Sequence, residues 1–360
     1  MSERKKHPVI KAILLLLLVI VLTVGGYVAY VFIAFHRLPD KTELTPAVNS
    51  SSAVLASAAK TGTEYSIVTW NMGFGAYSAD YSFFMDGGKY SRAYSKEAAV
   101  ENITAMTEYI KARDPDFALI QEVDTDSTRS YHVDERELIN GILDGYSSVF
   151  ALNYDSPYLF YPILSPHGKS VSGIMTESKV NIESSLRRSL PIETGLMKLL
   201  DLDRCYSVTR IPVENGKTLC LYNMHLSAYT SDGTIATEQL MVLVEDMTAE
   251  YEKGNYIICG GDFNKDLLGN SEEVFGVPFS NVTWAQPIPD GIIPEWLTKV
   301  ACSNAPSCRN ADRPFDETDF ILTIDGFLVS DNVEIASAFV HDLKFAHSDH
   351  NPVEMTFKLK

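Results

Sequence analysis

Residues 345–360 read FAHSDHNPVEMTFKLK, and a polar cluster in this stretch is followed by a strand-like alternation. The alternate positions Val353, Met355, Phe357 and Leu359 are apolar. This period of two is typical of a half-buried β-strand, so the preceding HSDHN lies on the loop that leads into the strand. Loops held by a rigid sheet often carry chemistry, but Asp-His-Asn-Pro is also good turn chemistry. The cluster alone is therefore consistent with either a site or an ordinary turn.

Several upstream strand-like runs also end in carboxylate, amide or imidazole side chains. These side chains are Asn71, Glu122, Asn223, His225, Asp262, Asn264 and Asp325. Each has an ordinary alternative, such as a turn asparagine, a helix-capping glutamate or a satisfied core histidine. Asp325 is harder to explain in that way, because a carboxylate between apolar neighbours needs a partner. The joint pattern favours one site at the ends of several strands.

The intervening sequence indicates an α/β domain. Apolar residues recur at helical spacing over residues 97–113 and 236–254, and Gly254 is a plausible end to the second helix. A hairpin is predicted over residues 211–221, with Asn215-Gly216 as its turn. Hairpins mixed with strand–helix units predict sheets that are both parallel and antiparallel.

An uncharged apolar run over residues 12–35 is long enough to cross a bilayer as a helix. It is too long for the core of a signal peptide, and it lacks the polar spacing of a buried core helix. Basic side chains precede it at Arg4, Lys5, Lys6 and Lys11. The positive-inside tendency therefore predicts a single-pass protein of the cell membrane, with residues 1–11 in the cytoplasm and the domain outside.

Residues 36–64 are rich in Ser, Ala, Thr and Pro, and they are predicted to be a linker to a domain that spans residues 65–360. The chain has a formal net charge of −17, which disfavours non-specific binding of nucleic acid but not a nuclease that recruits cations locally. Cys302 and Cys308 are close enough in sequence to form a small disulfide ring, although free thiols fit equally well. No Cys/His spacing indicates zinc.

Six short motifs occur in a characteristic order: WNM (70–72), QEV (121–123), NMHL (223–226), GDFN (261–264), IDGFLVS (324–330) and SDHNPV (348–353). Together they resemble the signatures of the endonuclease/exonuclease/phosphatase superfamily, as in a membrane-anchored, bacterial-type member, and GDFN and SDH are the most specific. The resemblance covers residues 65–360. It implies a four-layer sandwich of two mixed β-sheets flanked by helices, preceded here by the transmembrane helix, and metal-dependent hydrolysis of a phosphoester.

The resemblance also implies roles for individual residues. Glu122 is the expected principal metal ligand, helped by Asn71 and Asp349. Carboxylate and amide oxygens suit Mg²⁺, with Mn²⁺ or Ca²⁺ as alternatives. His350 is expected to be the general base, with Asp325 bound to its other ring nitrogen. His347 receives no role.

The remaining implied roles concern the phosphate. His225 and Asn223 are expected beside the phosphoryl oxygens, while Asp262 orients the water or the leaving group. Asn264 is expected to donate to the oxygens on which charge builds up. Arg129 and Arg309 flank motif segments and are candidates for binding the substrate phosphate, although arginines are often only solvated surface residues.

Substrate identity is left open by these patterns, because one metal site serves many phosphoesters. A phosphodiesterase or nuclease is the first hypothesis. A sphingomyelinase-like lipid phosphodiesterase or a phosphomonoesterase is the second, and a non-catalytic binding module is the third. Aromatic residues in the insertion at residues 73–97 are expected either to pack this loop or to grip a base or a lipid. Oligomeric state is not indicated.

Overall fold

The computed structural model describes residues 8–192, 202–228, 234–277, 285–316 and 318–360. Its helices are α1 (Pro8–Ala34), α2 (Lys96–Arg113), α3 (Glu135–Ile142), α4 (Thr234–Tyr251) and α5 (Ser271–Phe275). Its strands are β1 (Thr42–Leu44), β2 (Ala47–Val48), β3 (Glu64–Asn71), β4 (Phe117–Asp124), β5 (Ser147–Asp155), β6 (Val171–Ser178), β7 (Ser184–Ser189), β8 (Cys205–Pro212), β9 (Thr218–His225), β10 (Tyr256–Asp262), β11 (Leu297–Val300), β12 (Cys308–Arg309), β13 (Ile321–Leu322), β14 (Asp325–Ser330), β15 (Val333–Val340) and β16 (Val353–Leu359).

Two mixed sheets form the centre of the domain. Within the described residues each has seven strands, in the orders β15-β16-β3-β4-β6-β5-β2 and β1-β7-β8-β9-β10-β14-β11. In each sheet one central pair is parallel, β3 with β4 and β9 with β10, and the other pairs are antiparallel. The predicted mixed sheets are confirmed.

Apolar side chains fill the space between the two sheets, including Ile67, Phe117, Leu119 and Met355 from one and Leu221, Ile258 and Phe327 from the other. Outside this core, α2 and α3 cover the first sheet, and α4 covers the second. The buried face of α2 is the predicted one, with Ala99, Ile103, Met106 and Ile110. The domain is thus the expected sandwich of two sheets flanked by helices.

The α1 helix has 27 residues and a mean hydropathy of 2.8 over its most apolar window, none of which is buried. A helix in the core of this domain would bury one face, whereas this window buries none. Length and composition allow α1 to cross a membrane.

Part of the predicted linker, residues 36–64, is docked onto the domain. Strand β1 pairs with β7 in one sheet and β2 pairs with β5 in the other, so this segment adds an edge strand to both. Further along, Ala59 is fully buried in the core between the sheets. A small residue and short strands dock here because their backbone groups complete open sheet edges, a pairing that composition does not reveal.

The structure also answers two questions that the sequence leaves open, and it divides the segment at residues 319–330 into two strands. These strands are β13 and β14, because the chain leaves a small β12–β13 ladder before it enters the sandwich. Cys302 and Cys308 are buried thiols and are not joined. In the insertion, Tyr81 and Phe83 are buried in a satellite cluster, so this loop packs onto the domain, while Phe84 borders a cavity described below.

Candidate active site

Strand register brings three polar side chains together at one end of the second sheet. Asp262, the last residue of β10, pairs with His225 on parallel β9 and with Asp325 on antiparallel β14. Asn71 ends β3 in the facing sheet, and its Nδ2 donates to Asp262 Oδ2 across the sandwich at 3.0 Å. Residues far apart in sequence therefore meet at a common edge.

Glu122 reaches this edge through a bulge in β4. The pairing of β4 with β6 shifts register between Ile120 and Val123, and Glu122 has a φ of 55°. A bulge re-aims a side chain that regular alternation would send elsewhere. The Glu122 Oε1 atom accepts from Asn71 Nδ2 at 3.3 Å, and it lies 3.9 Å from His225 Nε2.

His350 and Asp325 form a buried pair. His350 Nδ1 lies 2.8 Å from Asp325 Oδ2, which also accepts from the Ser307 hydroxyl at 2.7 Å. This contact fixes the Nδ1–H tautomer of a neutral ring and leaves Nε2 as an acceptor. Burial is the largest influence and opposes the charged ring, but Asp325, Cys308 and Asp349 together raise the pKa of His350 well above its ordinary value. The pair has the arrangement of an oriented general base.

The Nε2 atom of His350 faces acidic groups. It lies 3.7 Å from Asp262 Oδ2 and 4.0 Å from Asp349 Oδ1. Burial raises the pKa of Asp262 to about 7, and Asp325 adds to the shift while His350 opposes it. Gly261, next to Asp262, lets β10 lie close to β9, since its φ is 143° and a Cβ atom there would lie 2.0 Å from the Met224 carbonyl oxygen.

His225 is held as a neutral ring. Burial lowers its pKa well below the ordinary value, and the positive charges of Arg204, His350 and Arg129 add to this effect. Its Nε2 lies 3.3 Å from Asp262 Oδ2, and its buried Nδ1 has no hydrogen-bond partner among the described residues. A neutral ring suits hydrogen bonding to a phosphoryl oxygen better than proton donation.

The donor set fits a hard divalent cation. Glu122, Asp262 and Asp349 bring three carboxylates to one small cavity of about 70 Å³. Burial raises the pKa of Asp349 to about 6, with a contribution from the Glu122 charge against the opposing effect of His350. Carboxylates gathered in this way favour a cation between them, and oxygen ligands suit Mg²⁺, Mn²⁺ or Ca²⁺.

A second set of candidate ligands overlaps the first. Asp262, Asp325 and His350 have ligand atoms within 4.8 Å of one another. Asp325 Oδ2 is hydrogen-bonded to His350 and Ser307, whereas its buried Oδ1 has no hydrogen-bond partner among the described residues. Asn71 turns its amide hydrogens toward the carboxylates, while its Oδ1 accepts from Gly73 N at 2.9 Å. In this geometry Asn71 positions Glu122 and Asp262 rather than offering an oxygen.

Asn223 and Asn264 are placed differently from expectation. The Asn223 side chain is buried between the sheets, where Nδ2 donates to Met175 O at 2.8 Å and Oδ1 accepts from Gln121 Nε2 at 2.8 Å. Asn223 therefore links β9 to β4 and β6 of the facing sheet and supports the strands that carry the site. Asn264 borders the small cavity, but its Nδ2 donates to Leu226 O at 2.8 Å. Its backbone N–H donates to Asp262 Oδ1, so it orients that carboxylate.

The two predicted arginines are engaged within the protein. Arg129 forms a two-point contact with Asp124, at 2.8 and 3.0 Å, and stacks over the Phe74 ring. Arg309 is buried and donates to backbone carbonyls, including that of Tyr81 at 3.2 Å. Both shape cavity walls. Sequence reasoning missed Arg204, which lines the site with a positive charge and carries no motif signal because it merely precedes β8.

A second, larger cavity of about 440 Å³ adjoins the first. Tyr77, Glu122, Arg204 and His225 line both. The rest of the large cavity is mainly aromatic, with Phe74, Phe83, Phe84, Phe160 and Tyr161 among its walls. The site thus joins a small acidic compartment to a large apolar one.

A sandwich of two mixed sheets, with an oriented histidine and clustered carboxylates at its strand ends, is the arrangement of a class of phosphoester hydrolases. The model of the Endonuclease/Exonuclease/phosphatase family matches residues 68–350, and the chain belongs to that family. Among curated proteins, no sequence matches this chain.

Solved structures with the same fold have low sequence identity. A Beutenbergia cavernae endonuclease/exonuclease/phosphatase is 17% identical with a TM-score of 0.57, over 82% of this chain and 72% of that one. ANGEL2, a 2′,3′-cyclic phosphatase crystallised with adenosine-2′,3′-vanadate, is 16% identical with a TM-score of 0.55, over 82% and 96%. A Bacteroides vulgatus protein is 13% identical with a TM-score of 0.52, over 83% and 100%.

Proposed function

We propose that this protein is a membrane-anchored, divalent-metal-dependent phosphodiesterase. The observation that carries the proposal is the buried Asp325–His350 pair, whose Nε2 atom faces the carboxylates of Asp262 and Asp349. An oriented base beside an oxygen-rich cation site is what hydrolysis of a phosphodiester requires. Family membership supports phosphoester hydrolysis as the reaction class.

In the proposed reaction, a water oxygen bonds to phosphorus as the ester P–O bond breaks, and His350 Nε2 accepts the water proton. Asp325 stabilises the resulting imidazolium. Glu122, Asp262 and Asp349 would hold the cation, which when bound neutralises phosphate charge and stabilises the leaving oxygen. That oxygen finally takes a proton from solvent.

The phosphoryl oxygens would be bound by groups from the other wall. His225 is neutral and buried, so its ring N–H can donate a hydrogen bond to a phosphoryl oxygen without transferring a proton. Arg204 adds a positive charge in the same cavity. Asn71 and Asn264 act on the carboxylates, which they hold in position through the contacts already described.

The anchor is the second part of the proposal. An exposed apolar α1 helix precedes the domain, and the basic residues before it favour a cytoplasmic N-terminus. The domain would then act outside the cell membrane. This placement confines the enzyme to substrates that reach the outer surface.

The function is tested with full-length protein in detergent and bis(4-nitrophenyl) phosphate as a generic phosphodiester. We expect hydrolysis that requires Mg²⁺ and is abolished by chelator. His350→Ala should lower kcat by roughly 10³-fold because it removes the base. The matched control is His132→Ala, which changes a largely exposed histidine. Near wild-type turnover in His350→Ala would reject the mechanism.

A further inference from the structure

The large cavity is bordered by a loop that carries no charge. Residues 156–166 read SPYLFYPILSP. Phe160 and Tyr161 line the cavity, while Ile163 and Leu164 at the loop tip are 83% and 100% exposed. An exposed cluster of large apolar side chains usually marks a surface that contacts another apolar phase.

This loop lies directly against the apolar helix. Tyr27 Oη donates to Tyr158 O at 3.1 Å, and Tyr158 N donates to Tyr30 Oη at 3.0 Å. The Tyr27 and Phe160 rings meet edge to face, with centroids 5.3 Å apart. Tyr27 is also one of the residues that line the cavity. The cavity therefore opens beside α1 itself.

The position along α1 fixes the level at which the loop would meet a bilayer. Tyr27 lies seven residues before the end of the helix at Ala34, which is about 10 Å at 1.5 Å per residue. The 27-residue helix is roughly 40 Å long, compared with about 30 Å of hydrocarbon core. Tyrosines prefer the boundary between membrane and water, so the loop and cavity mouth lie at the outer boundary.

Resting on the proposed function, we infer that the substrate is a membrane lipid phosphoester whose apolar chain occupies the aromatic cavity and whose phosphate reaches Glu122, Arg204 and His225. These three residues line both cavities, so one molecule can span the two compartments. The loop tip inserts among the lipids and guides the chain into the cavity.

A lipid fits this surface better than a nucleic acid does. A polynucleotide needs a track of basic side chains, whereas this chain has a formal net charge of −17 and Arg129 is paired with Asp124. The uncharged loop offers no attraction for phosphates. Its apolar side chains gain free energy when they leave water for lipid.

The first test compares lipids with their own head groups. Full-length protein in phosphatidylcholine nanodiscs is given phosphatidylglycerol or phosphatidic acid in the disc, or the deacylated form of each in solution. Hydrolysis of the disc lipid itself is also measured. We expect kcat/KM for a lipid to exceed that for its head group by about fiftyfold or more, because the anchored enzyme and the lipid share one surface and the bound chain positions the phosphate. Head-group release from phosphatidylglycerol supports both proposals. Phosphate release from phosphatidic acid alone supports the lipid inference but contradicts the proposed diester specificity.

Two methionines provide matched variants. Met85 lines the cavity and is 53% exposed, while Met241 on α4 is 54% exposed and lies away from it. Met85→Trp should fill the mouth and lower the lipid-to-head-group ratio of kcat/KM by about tenfold. Met241→Trp should leave the ratio unchanged. Equal ratios in the two variants would overturn the inference.

Photo-crosslinking tests whether a lipid chain enters the aromatic cavity, independently of catalysis. A phosphatidylcholine with a diazirine on its acyl chain is placed in the discs, and crosslinked peptides are mapped. We expect crosslinks at residues 158–164 and 83–85 as well as along α1, and fewer at the cavity in Met85→Trp. Crosslinks on α1 alone would overturn the inference.

Assays with nucleic acid distinguish failure of the lipid inference from failure of the proposed phosphodiesterase function. If single- or double-stranded DNA is cleaved faster than any lipid, with dependence on Mg²⁺ and His350, the lipid inference fails while the phosphodiesterase proposal stands. If neither DNA, lipid nor bis(4-nitrophenyl) phosphate is cleaved, the proposed function fails. Cavity crosslinks in that case would leave a lipid-binding site as the surviving conclusion.

Discussion

At the level of single residues, the site depends on the hydrogen-bond partners that keep its buried carboxylates in place. Asp325 is fully buried, and one of its oxygens holds both His350 and Ser307. Buried charges are tolerated only with such partners. The same principle explains why Asn71 and Asn264 matter, since each donates to the carboxylate of Asp262.

Asp325→Asn is expected to lower kcat by roughly 10³-fold or more, because an amide no longer selects the productive tautomer of His350. The carboxylate raises the pKa of His350, so its removal lowers that pKa. Activity of an unprotonated base rises with pH through its pKa, and this rise should move to lower pH in the variant. A pH–kcat profile checks the shift. An unchanged acid limb would contradict the role.

The buried carboxyl group of Glu177 should make the stability of the protein depend on pH. Burial raises its pKa well above the ordinary value, and Asn49 Nδ2, at 2.9 Å, opposes the shift only in part. The folded state therefore binds the proton more tightly than the unfolded chain, and stability falls as pH rises from the unfolded pKa through the folded one. Glu177→Gln should remove this slope and stabilise the protein at pH 8 by about 1 kcal/mol or more. Thermal unfolding at pH 5 and pH 8 measures both effects.

At the level of helices and strands, local sequence patterns indicate some strands but not the bulge in β4 or the edge strands. The positions of β3, β4, β9, β10 and β16 follow from apolar runs and alternation, which are local signals. The bulge that aims Glu122 depends on pairing with β6, and β6 itself was not predicted. Residues 42–48 have the composition of a linker, and the strands with which they pair lie more than 90 residues away in sequence, so no local pattern indicates that they are edge strands.

The docked segment can be tested with a matched pair of alanines. Ala59 is buried in the core, whereas Ala56 is exposed three residues earlier. Ala59→Glu should cost about 3 kcal/mol or more in unfolding free energy, because it buries a charge without a partner. Ala56→Glu should stay within about 0.5 kcal/mol of wild type. Urea denaturation distinguishes these outcomes, and equal stability of the two variants would restore the linker interpretation.

At the scale of the whole molecule, function depends on how the domain and α1 are combined. The acidic site, the aromatic cavity and the uncharged loop form a continuous surface beside the helix. In the proposed topology α1 would hold a strongly acidic domain at the membrane, which non-specific electrostatic attraction to anionic lipids would not do.

Orientation is tested with single cysteines. The native cysteines are all buried, so wild-type protein should react little with a membrane-impermeant maleimide in intact cells. Glu214→Cys, on the exposed β8–β9 turn, should be labelled in intact cells if the domain lies outside, as proposed. Ser2→Cys should be labelled only after permeabilisation. The reverse pattern would place the domain in the cytoplasm.

The apolar helix, the positions of several strands, the fold class and the residue types expected at the site could all be predicted from the sequence. They follow from hydrophobic periodicity and from motifs whose chemistry is local. Only the folded structure shows that Asn223 supports the sheets, that Arg204 joins the site and that an aromatic cavity opens beside α1. The physical reason is that burial and hydrogen bonding depend on partners distant in sequence, which no local pattern specifies.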